Sequence, residues 1–312
     1  MSSVPPTPFE HPGSPPPRPE VPEGIIPAPL PEPPPASRVR DHAHSGFQPW
    51  APFAAMLAAL VVALLGFAVI TVLAEAAGVS VDSKDPPPGV TLGGTLLQDA
   101  ALIVAAILFA RSGGVRPSAW AFGLRRTRFW RAVGWAALAA VAFYVLSFVW
   151  AVALGIDEND DLAEQLGAKD STINLIAVAL LVMVVAPLTE EFFFRGFCFP
   201  ALSNWLGWIG GAVATGLIFG LIHAGGTKAV FLVPLAIFGF LLCVLYRITG
   251  SILPGIGLHA LNNAVALGVT LEWEAWQVLL GVVGAPAVVL AIALPLSKAV
   301  PPRPPQPAYA AP

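Results

Sequence analysis

Charge is what this chain has least of. Asp, Glu, Lys and Arg make up 11% of its 312 residues, against 56% hydrophobic residues and a formal net charge of −3. With a mean hydropathy of +0.75, this composition excludes an ordinary soluble domain and implies a polytopic membrane protein. No basic block offers a surface for nucleic acid. Cysteine is as scarce: Cys198 and Cys243 both lie in apolar context, so neither a disulfide framework nor a C-x-x-C site is indicated. There is no G-x-S-x-G elbow, and neither cysteine has an activating neighbour in sequence. No internal repeat is evident, which argues against a transporter built on inverted repeats. The first apolar segment begins only near residue 52, so a cleavable signal peptide is not expected.

Proline, by contrast, is abundant and unevenly placed. Runs such as Pro15-Pro16-Pro17, Pro33-Pro34-Pro35 and Pro301-Pro302-Arg303-Pro304-Pro305 mark residues 1–49 and 299–312. Both read as disordered tails of polyproline character, because they hold too few large apolar groups to offset the entropy of ordering. Asp41-His42-Ala43-His44 is too slight a cluster to signal a metal site. Between the tails, residues 50–298 form one membrane domain with eight apolar segments, at about 52–77, 92–110, 129–155, 172–202, 207–225, 229–247, 252–271 and 276–297. Most are close to the ~20 residues that span a bilayer as a helix, so the expected fold is all-α with about eight transmembrane helices.

The connections carry the scarce charge in alternation. Arg38 and Arg40 precede the first segment, Arg111 to Arg131 cluster between the second and third, Arg247 follows the sixth, and Lys298 and Arg303 follow the eighth. The other connections are acidic, with Asp82 and Asp85, then Asp157, Glu158, Asp160 and Asp161, then Glu272 and Glu274. By the positive-inside rule both termini are cytoplasmic.

Against this background Thr189-Glu190-Glu191-Phe192-Phe193-Phe194-Arg195-Gly196 stands out, with three charged residues inside an apolar run. A charge at a helix centre in the bilayer costs about 2.5–3.5 kcal/mol on the lenient insertion scale, so these residues need partners, water or a task. Glu191 and Arg195 are spaced as an i,i+4 pair, and a helix end at the membrane surface would account for that pair alone. Two more segments carry isolated polar groups: His223, and His259 with Asn263 one turn later. Singly, each suits an interhelical hydrogen bond. If the chain turns at Asn204-Trp205-Leu206, however, Glu190 and His223 lie about 20–25 Å from that turn on antiparallel neighbours and face each other. Pro187 and Pro200 are expected to kink the long fourth segment.

The three motifs Glu190-Glu191-x-x-x-Arg195, Phe219-x-x-x-His223 and His259-x-x-x-Asn263 resemble the signature of the CPBP intramembrane proteases. That family comprises the type II CAAX prenyl endopeptidases and the bacteriocin-processing or Abi-type proteins. The resemblance covers roughly residues 172–271. It implies an all-helical intramembrane endopeptidase acting on a membrane-associated protein or peptide, with Glu190, His223, His259 and Asn263 at its centre. Read as chemistry, Glu190 is a general base acting with His223 on water, while His259 and Asn263 hold the oxyanion and Glu191 and Arg195 brace the helix. This mechanism needs no cofactor. A zinc mechanism would use Glu190, His223 and His259 as ligands instead, with a fourth position left for water. Two further readings use the same residues: a proton relay in a transporter, and a membrane scaffold that cleaves nothing.

Overall fold

The computed structural model describes residues 46–82, 86–114, 118–157 and 162–297. The readings of Arg38, Arg40, His42 and His44, of Asp85 and Arg116, of the acids Glu158, Asp160 and Asp161, and of the tail from Lys298 onward fall outside these residues. The N-terminal boundary at 49 needs correction. Phe47 is buried between Phe122 and Phe197, with ring centroids 5.5 and 5.1 Å away, and its carbonyl accepts from the Asn204 amide at 3.0 Å. A residue with three such contacts belongs to the packed body, not to a tail.

Among the described residues no β-strand forms. The helices are α1 (Ala51–Ala76), α2 (Pro88–Ala110), α3 (Phe129–Leu154), the single turn α4 (Leu162–Gln165), α5 (Thr172–Leu180), α6 (Ala186–Phe193), α7 (Phe199–Leu221), α8 (Ala229–Thr249), α9 (Leu253–Thr270) and α10 (Ala275–Leu296). Their ends follow local chemistry. Ser171 caps α5 by accepting from the Asn174 N–H at 3.1 Å, and Glu274 with Gln277 forms a capping box on α10. Gly155 and Gly250 stop α3 and α8 in the left-handed conformation.

Six helices among the described residues are long and apolar enough to cross a membrane, so the chain is a polytopic helical membrane protein. The count differs from the expected eight for two reasons. The fourth and fifth expected segments fall in one continuous run, Thr172–Leu221, and α9 is not among the six. Its 18 residues include His259, Asn262 and Asn263. The long run is nonetheless bent back on itself. Gly207 sits at φ 68°, ψ 169°, a conformation essentially reserved for glycine. A Cβ placed on Gly211 would come within 2.8 Å of the Ser203 backbone nitrogen. Eight residues of straight helix would separate such positions by about 12 Å, so the chain reverses here. This is the turn expected at 204–206, displaced by one residue.

Packing puts a short helix at the centre. α1 pairs with α2, α7 with α8, and α9 with α10, while α6 touches α2, α9 and α10. Leucine, valine and isoleucine side chains along α1, α3 and α10 stay exposed, as a lipid-facing surface requires. Tyr144 of α3 donates to the Asn262 amide oxygen at 3.3 Å, and Trp150 donates to the Val230 carbonyl at 2.9 Å, tying α3 to α9 and to the start of α8.

Candidate active site

The site is built around α6, and two prolines shape it. A proline removes the hydrogen bond to the residue four before it, and its ring crowds that residue's carbonyl. The residue four before Pro187 is Met183, and four before Pro200 is Gly196. Each is the middle residue of a five-residue π-helical segment, Leu181–Val185 and Phe194–Cys198. The helix therefore widens ahead of each proline, where a kink was expected. Such π segments recur at functional sites, and here they flank the eight residues that carry Glu190 and Glu191.

Glu191 and Arg195 are fully buried and paired, Oε1 to Nη1, at 2.8 Å. The guanidinium also donates from Nη2 to the Gly239 carbonyl of α8 at 2.9 Å and lies 4.6 Å over the Phe219 ring. The i,i+4 pair is formed, and its guanidinium reaches across to a neighbouring helix. Glu191 Oε1 also accepts from His259 Nδ1 at 3.1 Å. The other Glu191 oxygen rests against Gly255, where a Cβ would intrude to 2.6 Å. Only glycine leaves room for that carboxylate beside α9.

His259 lies between the two glutamates. With Nδ1 on Glu191, its Nε2 faces Glu190 Oε2 at 3.8 Å. Rings of Phe219 and Phe238 hold the imidazole at centroid distances of 5.8 and 5.4 Å. Glu190 is less enclosed than Glu191, with 14% of its side chain exposed, and its Oε2 has no hydrogen-bond partner.

His223 follows the end of α7 and is half-buried. Its Nδ1 lies 2.8 Å from the Phe219 carbonyl, which can only accept, so Nδ1 carries the hydrogen and Nε2 of the neutral ring is left as an acceptor. The Phe219 ring is 5.1 Å from this imidazole, so one phenylalanine touches both histidines. Phe219 also stacks edge-on against Phe194 at 5.2 Å, which joins the two antiparallel arms beside Arg195. Asn263 donates one amide hydrogen to the Val182 carbonyl at 2.8 Å, inside the first π segment, and keeps its second N–H.

Glu190, His259 and Glu191 therefore lie side by side, while His223 and Asn263 are held by the backbone carbonyls of Phe219 and Val182. The conditional zinc set of Glu190, His223 and His259 is not gathered: among the described residues no three His, Cys, Asp or Glu side chains converge closely enough to hold a metal ion.

One residue was missed. Asp99, on α2, is 5% exposed, and its Oδ2 has no hydrogen-bond partner. Its helix, α2, packs against α6, which carries Glu190. The signal was present, since Asp99 is the lone charged residue of the apolar run 92–110.

Residues 172–265 match the family described as type II CAAX prenyl endopeptidase Rce1-like. This part of the chain is similar to that family. The match takes in α5 to α8 and α9 as far as residue 265, and with them every residue of the three motifs. It supports the CPBP/CAAX intramembrane protease family and a CAAX-type intramembrane endopeptidase. No curated protein and no solved structure matches the chain.

A separate apolar cavity of about 430 Å³ opens between α3, α9 and α10, with Arg126 and Thr127 at one end. Gly257 and Leu261 line it. Each is two residues from His259, about 200° around α9, so this cavity lies on the other side of α9 from His259.

Proposed function

We propose that the protein is an intramembrane endopeptidase that hydrolyses a peptide bond in a membrane-associated protein or peptide by a glutamate-activated water. The observation that carries this reading is the Glu190–His259–Glu191–Arg195 array inside a membrane helix bundle. Three of its four side chains are more than nine-tenths buried, and Glu190 keeps an unpartnered oxygen. An ion pair alone would not need a histidine beside it, nor a second carboxylate left open.

Glu190 takes a proton from water, and His223, through the free acceptor Nε2, helps to orient that water. The hydroxyl oxygen adds to the scissile carbonyl. The oxyanion is held by the remaining Asn263 N–H and by His259, whose Nε2 faces the Glu190 side. Glu190 then returns its proton to the leaving amine. Glu191 fixes the His259 ring by its Nδ1 bond, and Arg195 holds Glu191. The Rce1-like match supports a CAAX-type substrate, one cleaved near a C-terminal membrane anchor, and the basic and acidic loops support cytoplasmic termini.

The decisive variant is Glu190→Gln, which keeps shape and removes the base. Cleavage should fall by roughly 10²–10⁴-fold, the range for loss of a general base. In cells, comparison of the membrane proteomes of wild type and Glu190→Gln should reveal one uncleaved protein that accumulates. Undiminished cleavage by the purified Gln variant would end this mechanism.

A further inference from the structure

The cavity between α3, α9 and α10 has no part in the proposed mechanism. Three helices present the same end to its mouth. Phe129 opens α3, Leu253 and Pro254 open α9, and Leu294 stands close to the end of α10. From there the lining runs inward to Ala140 on α3 and to Pro286 on α10, about 17 and 12 Å at 1.5 Å per residue. The hydrocarbon core of a bilayer is about 30 Å thick, so this shaft is about one leaflet deep. It is recessed, because Ala132, Leu253 and Leu258 in its walls are buried. Ala132, Ala136 and Ala140, one turn apart on α3, face it. Small side chains so spaced usually let a second helix close in, and here they border a space instead. The mouth differs in kind, since Arg126 and Thr127 are the polar residues of the lining. Arg126 donates from Nε to Ser297 Oγ at 3.4 Å, so its side chain spans from the start of α3 to the end of α10. Among the described residues its Nη nitrogens bond to nothing, and Arg128 and Arg131 beside it are exposed. No acidic residue occurs in residues 111–131, 247–256 or 294–297, the stretches that meet here. The mouth is therefore cationic, and the uncapped start of α3 adds to its positive field.

We infer that this cavity is a binding site for one anionic phospholipid, an acyl chain lying in the shaft and the phosphate resting on Arg126. An apolar shaft one leaflet deep under a cationic mouth is complementary to an amphiphile with an aliphatic tail and a negative head. A zwitterionic lipid would bring a positive group against Arg126, Arg128 and Arg131. A free phosphate would leave the shaft unfilled. A substrate's own anchor fits less well, because the cavity lies on the other side of α9 from His259. The occupant is thus a lipid of the leaflet that faces the basic loops. It fills the space between α3 and the α9–α10 pair, and it stabilises the bundle by binding only the folded state. This inference stands apart from the protease reading.

The test uses the purified full-length protein in detergent, with dioleoyl phosphatidylglycerol, dioleoyl phosphatidylcholine and glycerol phosphate as probes. Native mass spectrometry counts bound lipid, and thermal unfolding reports binding through a raised melting temperature. Wild type should hold one phosphatidylglycerol per chain and melt higher with it, should bind phosphatidylcholine more weakly, and should not respond to glycerol phosphate. Arg126→Ala should weaken phosphatidylglycerol by about fivefold, roughly the worth of one basic residue at an anionic membrane surface. Ala136→Phe, which fills the shaft, should abolish the retained lipid. Equal binding of both lipids by wild type would show that the space takes bulk lipid only. Glycerol phosphate that raises the melting temperature as much as the lipid would make this a phosphate site. Unchanged phosphatidylglycerol binding in Arg126→Ala would overturn the inference even if Ala136→Phe failed to fold. Unchanged binding in a folded Ala136→Phe would place the lipid elsewhere. Competition between phosphatidylglycerol and a cleaved substrate would give the cavity to the substrate's tail, and the inference would fail there too.

Discussion

Arg195 and Glu191 are the residues whose burial is most demanding. Both are fully enclosed, so each charge relies on the other, Arg195 also on the Gly239 carbonyl and Glu191 also on His259 Nδ1. Breaking such a pair from one side costs about 3–5 kcal/mol, because the surviving charge is stranded. Arg195→Ala should therefore lower both abundance and melting temperature, and should free the Glu191 carboxylate that positions His259. Glu191→Gln combined with Arg195→Ala removes the stranded charge. The double variant should be more heat-resistant than Arg195→Ala, although inactive. A double variant no more stable than the single one would show that the pair does not act as a unit. Metal content is a second question at this scale. Under the base mechanism, active enzyme should retain turnover through exhaustive chelation and carry less than stoichiometric zinc by elemental analysis. A full equivalent that disappears in His223→Ala would overturn it.

At the scale of elements, Gly207 decides whether two of the three motifs meet. Residues 172–221 form one continuous helical run, and without a reversal they would be a 50-residue rod. Glu190 and His223 would then lie at opposite reaches of it, about 50 Å apart at 1.5 Å per residue. At φ 68° and ψ 169° a side chain meets its own backbone, although space around Gly207 is open. Gly207→Ala should thus cost about 1–3 kcal/mol from backbone strain alone. A lowered melting temperature with a parallel loss of cleavage is the expected result. An unchanged melting temperature would mean that the turn tolerates a conformation other than this one. The two π segments work at the same scale. They turn Val182 toward Asn263 and carry Arg195 toward α8, so the prolines that cause them set the positions of residues on three helices.

For the whole molecule the open quantity is orientation. The basic residues Arg125, Arg126, Arg128 and Arg131 lie together at the start of α3, and Glu272 and Glu274 lie before α10. With cytoplasmic termini, single cysteines introduced at Glu274 should react with an impermeant thiol reagent in intact cells, and one at Arg126 should not. The two native cysteines give little background, because both are buried. Labelling at Arg126 with protection at Glu274 would invert the topology, and with it the side from which substrate reaches Glu190.

The sequence by itself determined the class of the molecule and the chemistry it can hold. A chain with so little charge has few solutions outside a helix bundle in lipid, and its exceptions to apolarity are few enough to name. Glu190, Glu191, Arg195, His223, His259 and Asn263 were legible for that reason, as was the i,i+4 pair, which needs only helical spacing. Tertiary structure decided what spacing cannot. That His259 sits between both glutamates depends on how α9 docks on α6, where Gly255 has no side chain to hold it off. Asp99 lies far before Glu190 in sequence, and only the fold shows that its helix packs against the one that carries Glu190. Phe47 stands on the proline-rich side of the first helix and reads as tail until its ring is seen between Phe122 and Phe197. The prolines were visible, but their effect was not. A missing hydrogen bond can be absorbed by a kink or by a wider turn, and the packing of neighbouring helices selects between them.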